Sequence, residues 1–313
     1  MTLLKNSSDF RNALLDKINQ LNYDWKEYDA YFKLTIGSYE VCFNRVRTLG
    51  RFDPERWLKS KHEDNKIHEP GLIATWIFLT EYLNQPIYFY DIGALFGYHS
   101  AIFSKLNNDC RCVLVDGNSD SLDNAKKVND QCNNFSFVNA VVGDKVAKSY
   151  FLVDSYNFYP LFCMTALKKF LIGICKDPIK YILKSLKFRE KFNFSVIGNI
   201  RSIQTTTLED LIKLSPSGFK SLVKIDAEGH QSQFLTGRIG KFFANKVIIC
   251  LELDSAQNMD KFGGSNKEIV NELLVEGYEV FWLDHRKPSD VVIVNKFENF
   301  MNRNSLIVAI PGL

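Results

Sequence analysis

Hydrophobic positions near the start of the chain change from a helical to a strand-like spacing. Apolar residues recur every three or four positions between residues 8 and 22, which predicts an amphipathic helix. Alternating apolar residues then flank Gly37 and Ser38, a pair typical of a two-residue hairpin turn. We therefore expect residues 1–68 to form a cap of one helix and a hairpin, and nothing in its pattern indicates chemistry.

From residue 69 onwards, short apolar segments alternate with helical patterns. The first five of these segments are almost entirely apolar, as expected for strands that are covered on both faces. The alternation predicts an α/β fold, with a doubly wound, mostly parallel sheet over residues 69–313. Ligands of such sheets bind beyond the carboxyl ends of the strands. The predicted strands are Ile87–Tyr90, Cys112–Val115, Phe135–Val138, Leu222–Ile225, Val247–Leu251, Tyr278–Leu283 and Ser305–Ile310.

The first core strand leads into a glycine-containing turn and then a helix. Gly93 lets the backbone turn tightly and lets a ligand approach, while Gly97 lets the helix pack close to the strand. The helix N-terminus offers free N–H groups to an anionic group of the ligand. The residues that we expect to bind a cofactor here are Asp91, Gly93, Ala94, Gly97, Tyr98 and His99.

The second strand ends at Asp116, where a carboxylate can accept hydrogen bonds from both ribose hydroxyls of a nucleotide cofactor. NAD(P)-dependent oxidoreductases need a glycine in the middle of the first turn, where this chain has Leu95. Asp91 would also face a pyrophosphate unfavourably, whereas it suits the cationic cofactor S-adenosylmethionine (SAM). The residues therefore favour SAM over NAD(P), with an ordinary tight turn as the third interpretation. Asn139 and Ala140, after the third strand, should lie near the adenine.

Five segments resemble the FkbM family of SAM-dependent methyltransferases over residues 66–313. The resemblance implies O-methylation of a hydroxyl on a glycan, a lipid-linked glycan or a natural product. It also implies a seven-stranded sheet whose last strand is antiparallel. The matching segments are Glu69-Pro70, Asp91-Ile92-Gly93-Ala94 with Gly97-Tyr98, Thr206-Thr207-Leu208-Glu209-Asp210-Leu211, Lys224-Ile225-Asp226-Ala227-Glu228-Gly229-His230 and Leu251-Glu252.

The chain departs from the family pattern at three places. Leu95 replaces an asparagine, Asp116-Gly117 replaces Glu-Pro, and Gln231 replaces the final glutamate of the fourth-strand motif. Asp116 keeps the carboxylate that ribose binding requires. Leu95 and Gln231 leave open a second interpretation, namely a protein that binds SAM without catalysing methyl transfer.

Methylation of a hydroxyl requires a general base. The fourth strand should deliver Asp226 above the cofactor, with Glu228 and His230 following. Asp226 is the first candidate for the base or its orienting residue, and His230 is the second because histidine titrates near neutral pH. Together with Glu252 and Asp254, Asp226 could instead form an oxygen-ligand site for Mg²⁺, although carboxylates at strand ends also bind substrates.

Residues 155–203 interrupt the family pattern and carry a strongly basic segment. Residues 166–192 contain eight basic and two acidic residues, and a predicted helix there places lysines and apolar residues on different faces. Such a helix could lie on an anionic membrane surface. The alternative is a lid whose apolar face packs on the sheet. The expected partner is in either case a hydroxyl-bearing acceptor.

Composition adds few constraints. The 313 residues carry a net charge of only +3, which gives no indication of nucleic-acid binding, and we expect no nucleic-acid partner. The sequence shows neither a signal-peptide pattern nor a transmembrane stretch. Seven scattered cysteines fit the reducing cytoplasm. We therefore expect a cytoplasmic protein, with contact to the inner membrane surface if the basic helix is membrane-facing.

Overall fold

The computed structural model describes residues 6–48, 52–154, 157–160, 200–302 and 305–312. The chain begins with a helix, a three-stranded antiparallel sheet and a second helix. The expected helix and hairpin are present, and the sheet gains a strand, β1, that the sequence pattern did not predict. The bounds are α1 (Ser7–Gln20), β1 (Tyr23–Glu27), β2 (Tyr31–Ile36), β3 (Tyr39–Asn44) and α2 (Pro54–His62).

The main sheet has eight strands in the order β14-β13-β15-β12-β11-β4-β5-β6. The five strands from β12 to β6 are parallel neighbours, and β15 runs antiparallel to β12 and β13. All seven predicted strands are present, with β14 added at one edge. The bounds are β4 (Ile87–Ile92), β5 (Arg111–Asp116), β6 (Phe135–Asn139), β11 (Lys220–Ile225), β12 (Ile248–Leu253), β13 (Tyr278–Asp284), β14 (Val292–Ile293) and β15 (Ser305–Pro311).

Helices cover both faces of this sheet, as the doubly wound prediction requires. The described ones after the cap are α3 (Pro70–Leu83), α4 (Tyr98–Leu106), α5 (Ser119–Val128), α6 (Leu208–Ile212), α7 (Ser232–Leu235), α8 (Ile239–Ala244), α9 (Ala256–Asp260) and α10 (Asn266–Val275). Thr207 begins α6 by accepting a hydrogen bond from the Asp210 backbone N–H at 3.1 Å. The threonine of the Thr-Thr-Leu motif is thus a helix cap.

A second sheet of four strands, in the order β7-β10-β8-β9, lies around the predicted insertion. Its strands are β7 (Val141–Val142), β8 (Ala147–Asp154), β9 (Asn157–Pro160) and β10 (Ile200–Thr206). The described ends of the insertion are thus strands. The basic segment 166–192 lies outside the described residues, so its contact with a membrane stays a prediction. Within the described ranges, no helix is long and apolar enough to cross a bilayer.

The register of the parallel strands positions the site. Ile92 of β4 pairs with Val115 of β5 on one side and with Ile225 of β11 on the other. The residues that follow these three therefore meet at one edge of the sheet. That edge carries Gly93, Asp116 and Asp226, as the rule for open α/β sheets predicts.

Candidate active site

The turn between β4 and α4 has the backbone that its glycines permit. Gly93 and Gly97 both have φ of +77°, which side chains of L residues rarely adopt. A Cβ on Gly93 would stand 1.9 Å from the Asp226 carbonyl oxygen, so the turn lies directly against the loop after β11. Leu95 also has a positive φ, +50°, at a position where asparagine would be strained less.

Asp91 lies beneath this turn and is fully buried. Its Oδ2 accepts a hydrogen bond from Ser100 Oγ at 2.7 Å, and its Oδ1 lies 3.1 Å from Lys224 Nζ. Lys224 Nζ is also 3.5 Å from Asp226 Oδ2. Burial opposes the charge on Lys224, but Asp91 and Asp226 outweigh it and raise the pKa of the lysine. The cation next to Asp91 is thus the ammonium group of Lys224, which belongs to this chain.

Asp116 is held at the end of β5 by two backbone N–H groups. Leu95 N donates to Oδ2 at 2.9 Å and Asn118 N donates to Oδ1 at 2.7 Å. Burial raises the pKa of Asp116 to about 6, although these hydrogen bonds favour the ionised form. Asn139 holds the same end of β5, because its Nδ2 donates to the Asp116 carbonyl at 3.0 Å.

Two clefts open at this edge of the sheet. The first, which we call the inner cleft, encloses about 90 Å³ and is mostly apolar. It is lined by Ile92, Gly93, Val115, Asp116, Gly117, Ala140, Val141, Val142, Asp226, Ala227, Glu228, His230, Phe234 and Phe262. The second, the outer cleft, encloses about 300 Å³. It is lined by Phe52, Trp57, Lys61, His68, Glu69, Gly93, Leu95, Asp116, Asp226, Glu228, Glu252 and Arg286.

Four of the described residues line both clefts, so the two form one continuous site. The shared residues are Gly93, Asp116, Asp226 and Glu228. Two further predicted residues, Ala140 and His230, line the inner cleft alone. The other predicted residues support the walls without lining either cleft, and their contact with a cofactor stays a prediction. They are Asp91, Ala94, Gly97, Tyr98, His99 and Asn139.

Glu69 is a buried carboxylate on the wall of the outer cleft, at the start of α3. His99 Nε2 lies 2.8 Å from its Oε2, and His68 Nε2 lies 3.0 Å from its Oε1. Trp76 Nε1 donates to His99 Nδ1 at 3.4 Å, so neutral His99 carries its proton on Nε2 and donates it to Glu69. Burial opposes ionisation, but the two histidines outweigh it and hold the pKa of Glu69 well below its usual value.

The same wall carries a second group of ionisable side chains. His285 Nε2 lies 3.4 Å from Glu252 Oε1 and 3.7 Å from Glu69 Oε1. The three side chains are close enough to hold a metal ion. Arg286 already places its guanidinium against them, with Nε 3.2 Å from His285 Nε2 and Nη2 3.5 Å from Glu252 Oε1. A metal ion at this position would therefore compete with the guanidinium for Glu252 and His285.

The Mg²⁺ site expected from Asp226, Glu252 and Asp254 is not supported. Asp254 Oδ2 accepts hydrogen bonds from Gly229 N at 2.6 Å and Gln231 Nε2 at 2.8 Å, which hold it against the loop after β11. Among the described residues, these three carboxylates do not form a common ligand set. Gln231 is completely buried, and its uncharged amide donates to a carboxylate that a glutamate would repel.

Comparison with known proteins identifies the family. Residues 91–280 match the methyltransferase FkbM domain, which is more than half of the chain. The chain belongs to the FkbM methyltransferase family. No curated protein matches the sequence.

The solved structures that resemble this chain are distant from it in sequence. The methyltransferase FkbM from Methylobacillus flagellatus has 12% identity and a TM-score of 0.38, with 81% of this chain and 57% of that chain covered. This chain therefore spans less than two thirds of that protein. Precorrin-6y C5,15-methyltransferase from Geobacter metallireducens has 12% identity, a TM-score of 0.35 and coverage of 78% and 88%. A SAM-dependent methyltransferase from Agrobacterium tumefaciens has 8% identity, a TM-score of 0.35 and coverage of 91% and 71%.

Asp226 occupies the junction of the two clefts. Its side chain is one-third exposed. Burial and the nearby charge of Glu252 raise its pKa, and Lys224 only partly offsets them. Burial and the charges of Asp254 and Glu252 raise the pKa of Glu228 in the same way. A carboxylate with a raised pKa is a stronger base than an ordinary one, so Asp226 suits proton removal.

Several residues of the outer cleft were not predicted from sequence. Phe52, Trp57 and Lys61 come from the cap, while Arg286 follows β13. The sequence offered a signal only for Glu69, whose Glu-Pro motif matched the family without indicating a role. The cap residues gave no signal, because their place in the site depends on how α2 packs against the sheet.

Proposed function

We propose that this chain is a SAM-dependent methyltransferase that methylates a hydroxyl oxygen. The observation that carries the proposal is the position of Asp116, a carboxylate at the end of β5 that lines both clefts. Each of its oxygens accepts one backbone N–H and keeps a lone pair for a ribose hydroxyl. The FkbM family membership of the chain supports the same cofactor.

The residues on either side of Asp116 fit the two ends of SAM. The inner cleft offers apolar surface from Val115, Val142 and Phe262 for a planar adenine. In the outer cleft, the ionised Glu69 would bind the ammonium group of the methionine end. When bound, SAM supplies a methyl group that its positively charged sulfur makes electrophilic.

Asp226 is the proposed general base for the acceptor. It lines the outer cleft, where an acceptor enters, and it also lines the inner cleft. Its raised pKa increases its affinity for the proton that a hydroxyl releases as the new bond to carbon forms. Lys224, 3.5 Å from Asp226 Oδ2, holds the carboxylate in place.

Aromatic residues of the cap indicate the kind of acceptor. Phe52 and Trp57 line the outer cleft and give it flat apolar surface beside the carboxylates. Such surface excludes water and packs against the face of a sugar ring or a polyketide. This surface supports our proposal that the acceptor is a glycan, a lipid-linked glycan or a hydroxylated natural product.

Calorimetric titration with SAM tests cofactor binding. Replacement Asp116→Ala removes two charge-assisted hydrogen bonds, so we expect roughly 100-fold weaker binding. The matched control is Asp123→Ala, which removes an exposed carboxylate of α5 that pairs with Lys126 and should leave binding unchanged. Clear binding of NAD without binding of SAM would refute the proposal.

A SAM-consumption screen against sugar, lipid-linked and polyketide acceptors tests catalysis. We expect turnover with at least one hydroxyl acceptor, and we expect Asp226→Asn to reduce kcat by about 10²- to 10⁴-fold while SAM still binds. SAM binding without turnover on any acceptor would instead favour the second interpretation of the sequence. In that interpretation, based on Leu95 and Gln231, the chain binds SAM without catalysing methyl transfer.

A further inference from the structure

His230 is an enclosed imidazole whose surroundings leave its nitrogens unpaired. It is 9% exposed and lines the inner cleft. The Phe262 ring lies edge-on to it, with centroids 5.1 Å apart. Neither Nδ1 nor Nε2 makes a hydrogen bond within the described part of the chain. A buried polar group without a partner is costly, so a ligand in the cleft is the expected partner.

The inner cleft itself limits what that ligand can be. Among the residues that the structure describes, its polar side chains are His230 and the carboxylates of Asp116, Asp226 and Glu228. All three carboxylates also line the outer cleft. His230 is therefore the polar side chain that serves the inner cleft alone, and the walls around it are small or apolar.

The imidazole is neutral in this environment. Burial lowers the pKa of His230 to about 4, and the Val142 carbonyl and the Asp144 carboxylate only partly offset this effect. Neutral imidazole has one N–H and one lone pair. The Val142 carbonyl lies close enough to raise the pKa of His230 without forming a hydrogen bond with it. With the N–H turned toward that carbonyl, the other nitrogen would present its lone pair to the cleft.

We propose that His230 recognises the adenine of the bound cofactor by accepting a hydrogen bond from its exocyclic amino group. That amino group is the one hydrogen-bond donor on adenine when N9 carries the ribose, so a lone pair on the protein matches it. The inference rests on the proposed SAM site. It replaces the alternative that His230 is the general base, because His230 does not line the outer cleft.

The test compares two product analogues, S-adenosylhomocysteine and its purine counterpart in which hydrogen replaces the amino group. We expect the wild-type chain to bind the adenine compound roughly 10-fold more tightly, and His230→Phe to bind both within about twofold of each other. His62→Phe is the matched control, since the His62 side chain on α2 is also buried but lines neither cleft. It should keep the 10-fold preference.

Three results would overturn the inference. They are no preference in the wild-type chain, a preference that His230→Phe retains, and loss of the preference in His62→Phe. If His230→Phe does not fold, nitrogen NMR of the histidines in the wild-type chain decides. A hydrogen bond accepted by His230 should shift the resonance of one of its ring nitrogens when the adenine compound binds, but not when the purine compound binds. An unchanged resonance refutes the inference. If neither compound binds the wild-type chain, the SAM site itself is refuted.

Discussion

Two features of its surroundings shift the pKa of Asp116 in opposite directions. Burial favours its neutral form, while the N–H groups of Leu95 and Asn118 favour the carboxylate, and its pKa settles at about 6. Ribose hydroxyls bind the ionised form more tightly, because a carboxylate is a stronger hydrogen-bond acceptor than a protonated carboxyl group. The bound cofactor should therefore lower this pKa, and binding should release a proton when it occurs below about pH 6.

The affinity for SAM should depend on pH for this reason. Above about pH 7 the carboxylate is ionised and affinity is constant, whereas below about pH 6 it should fall by up to tenfold per pH unit. Calorimetry between about pH 5 and pH 8 measures the effect. Asp116→Asn, which cannot titrate, should bind weakly with a flat profile over the same range. An equally steep decline in that variant would assign the titration to another group.

At the scale of single elements, α2 links the stability of the cap to the site. Asp53 caps the helix by accepting hydrogen bonds from Glu55 N at 3.0 Å and Arg56 N at 3.3 Å. Glu55 in turn holds the helix to the chain after β3, with Arg45 Nη1 2.9 Å from its Oε1. The helix thereby carries Trp57 into the outer cleft.

Loss of this cap should weaken acceptor binding without weakening SAM binding. Asp53→Ala should cost about 1 kcal/mol of stability and raise the acceptor KM several-fold, because the start of α2 frays. Asn6→Ala is the matched control, since Asn6 caps α1 through Asp9 N at 3.0 Å and α1 lines neither cleft. The link between α2 and the acceptor is wrong if both variants raise the KM equally, or if neither does.

On the scale of the whole molecule, the cap and the sheet share one hydrophobic core. Phe10 of α1 stacks on Phe281 of β13, with ring centroids 4.3 Å apart, and meets Phe78 of α3 edge-on at 4.6 Å. Phe32 and Phe43 of the small sheet belong to the same buried cluster. The predicted division after residue 68 follows a change of pattern, but the core continues across it.

Cap and sheet should therefore unfold together. Phe10→Ala should cost about 3–5 kcal/mol and lower the midpoint of a single thermal transition. Calorimetry gives the number of transitions. Tryptophan fluorescence should give the same midpoint as calorimetry, because it reports on both parts of the chain: Trp25 and Trp57 lie in the cap, while Trp76 and Trp282 lie on α3 and β13. A separate early transition in the variant, with the sheet unchanged, would show that the cap is an independent domain.

The sequence by itself determined the α/β class, the seven main strands and the position of Asp116. These follow from local features, since the strands are short apolar segments and parallel strands place their carboxyl ends at one edge. The FkbM resemblance was carried by contiguous motifs for the same reason. Strand β1 was missed because its alternation consists of only two aromatic residues, Tyr23 and Trp25, and its other residues are charged.

Only the tertiary structure decided which side chains meet. Asp91 was expected to face a cationic ligand, and in the structure it also meets Lys224, more than 130 positions later, because β4 and β11 are neighbours in register. Trp57 and Arg286 reach the outer cleft from opposite ends of the chain. Sequence reports the chemistry of each residue, whereas its partners and the burial that shifts its pKa depend on contacts between distant segments.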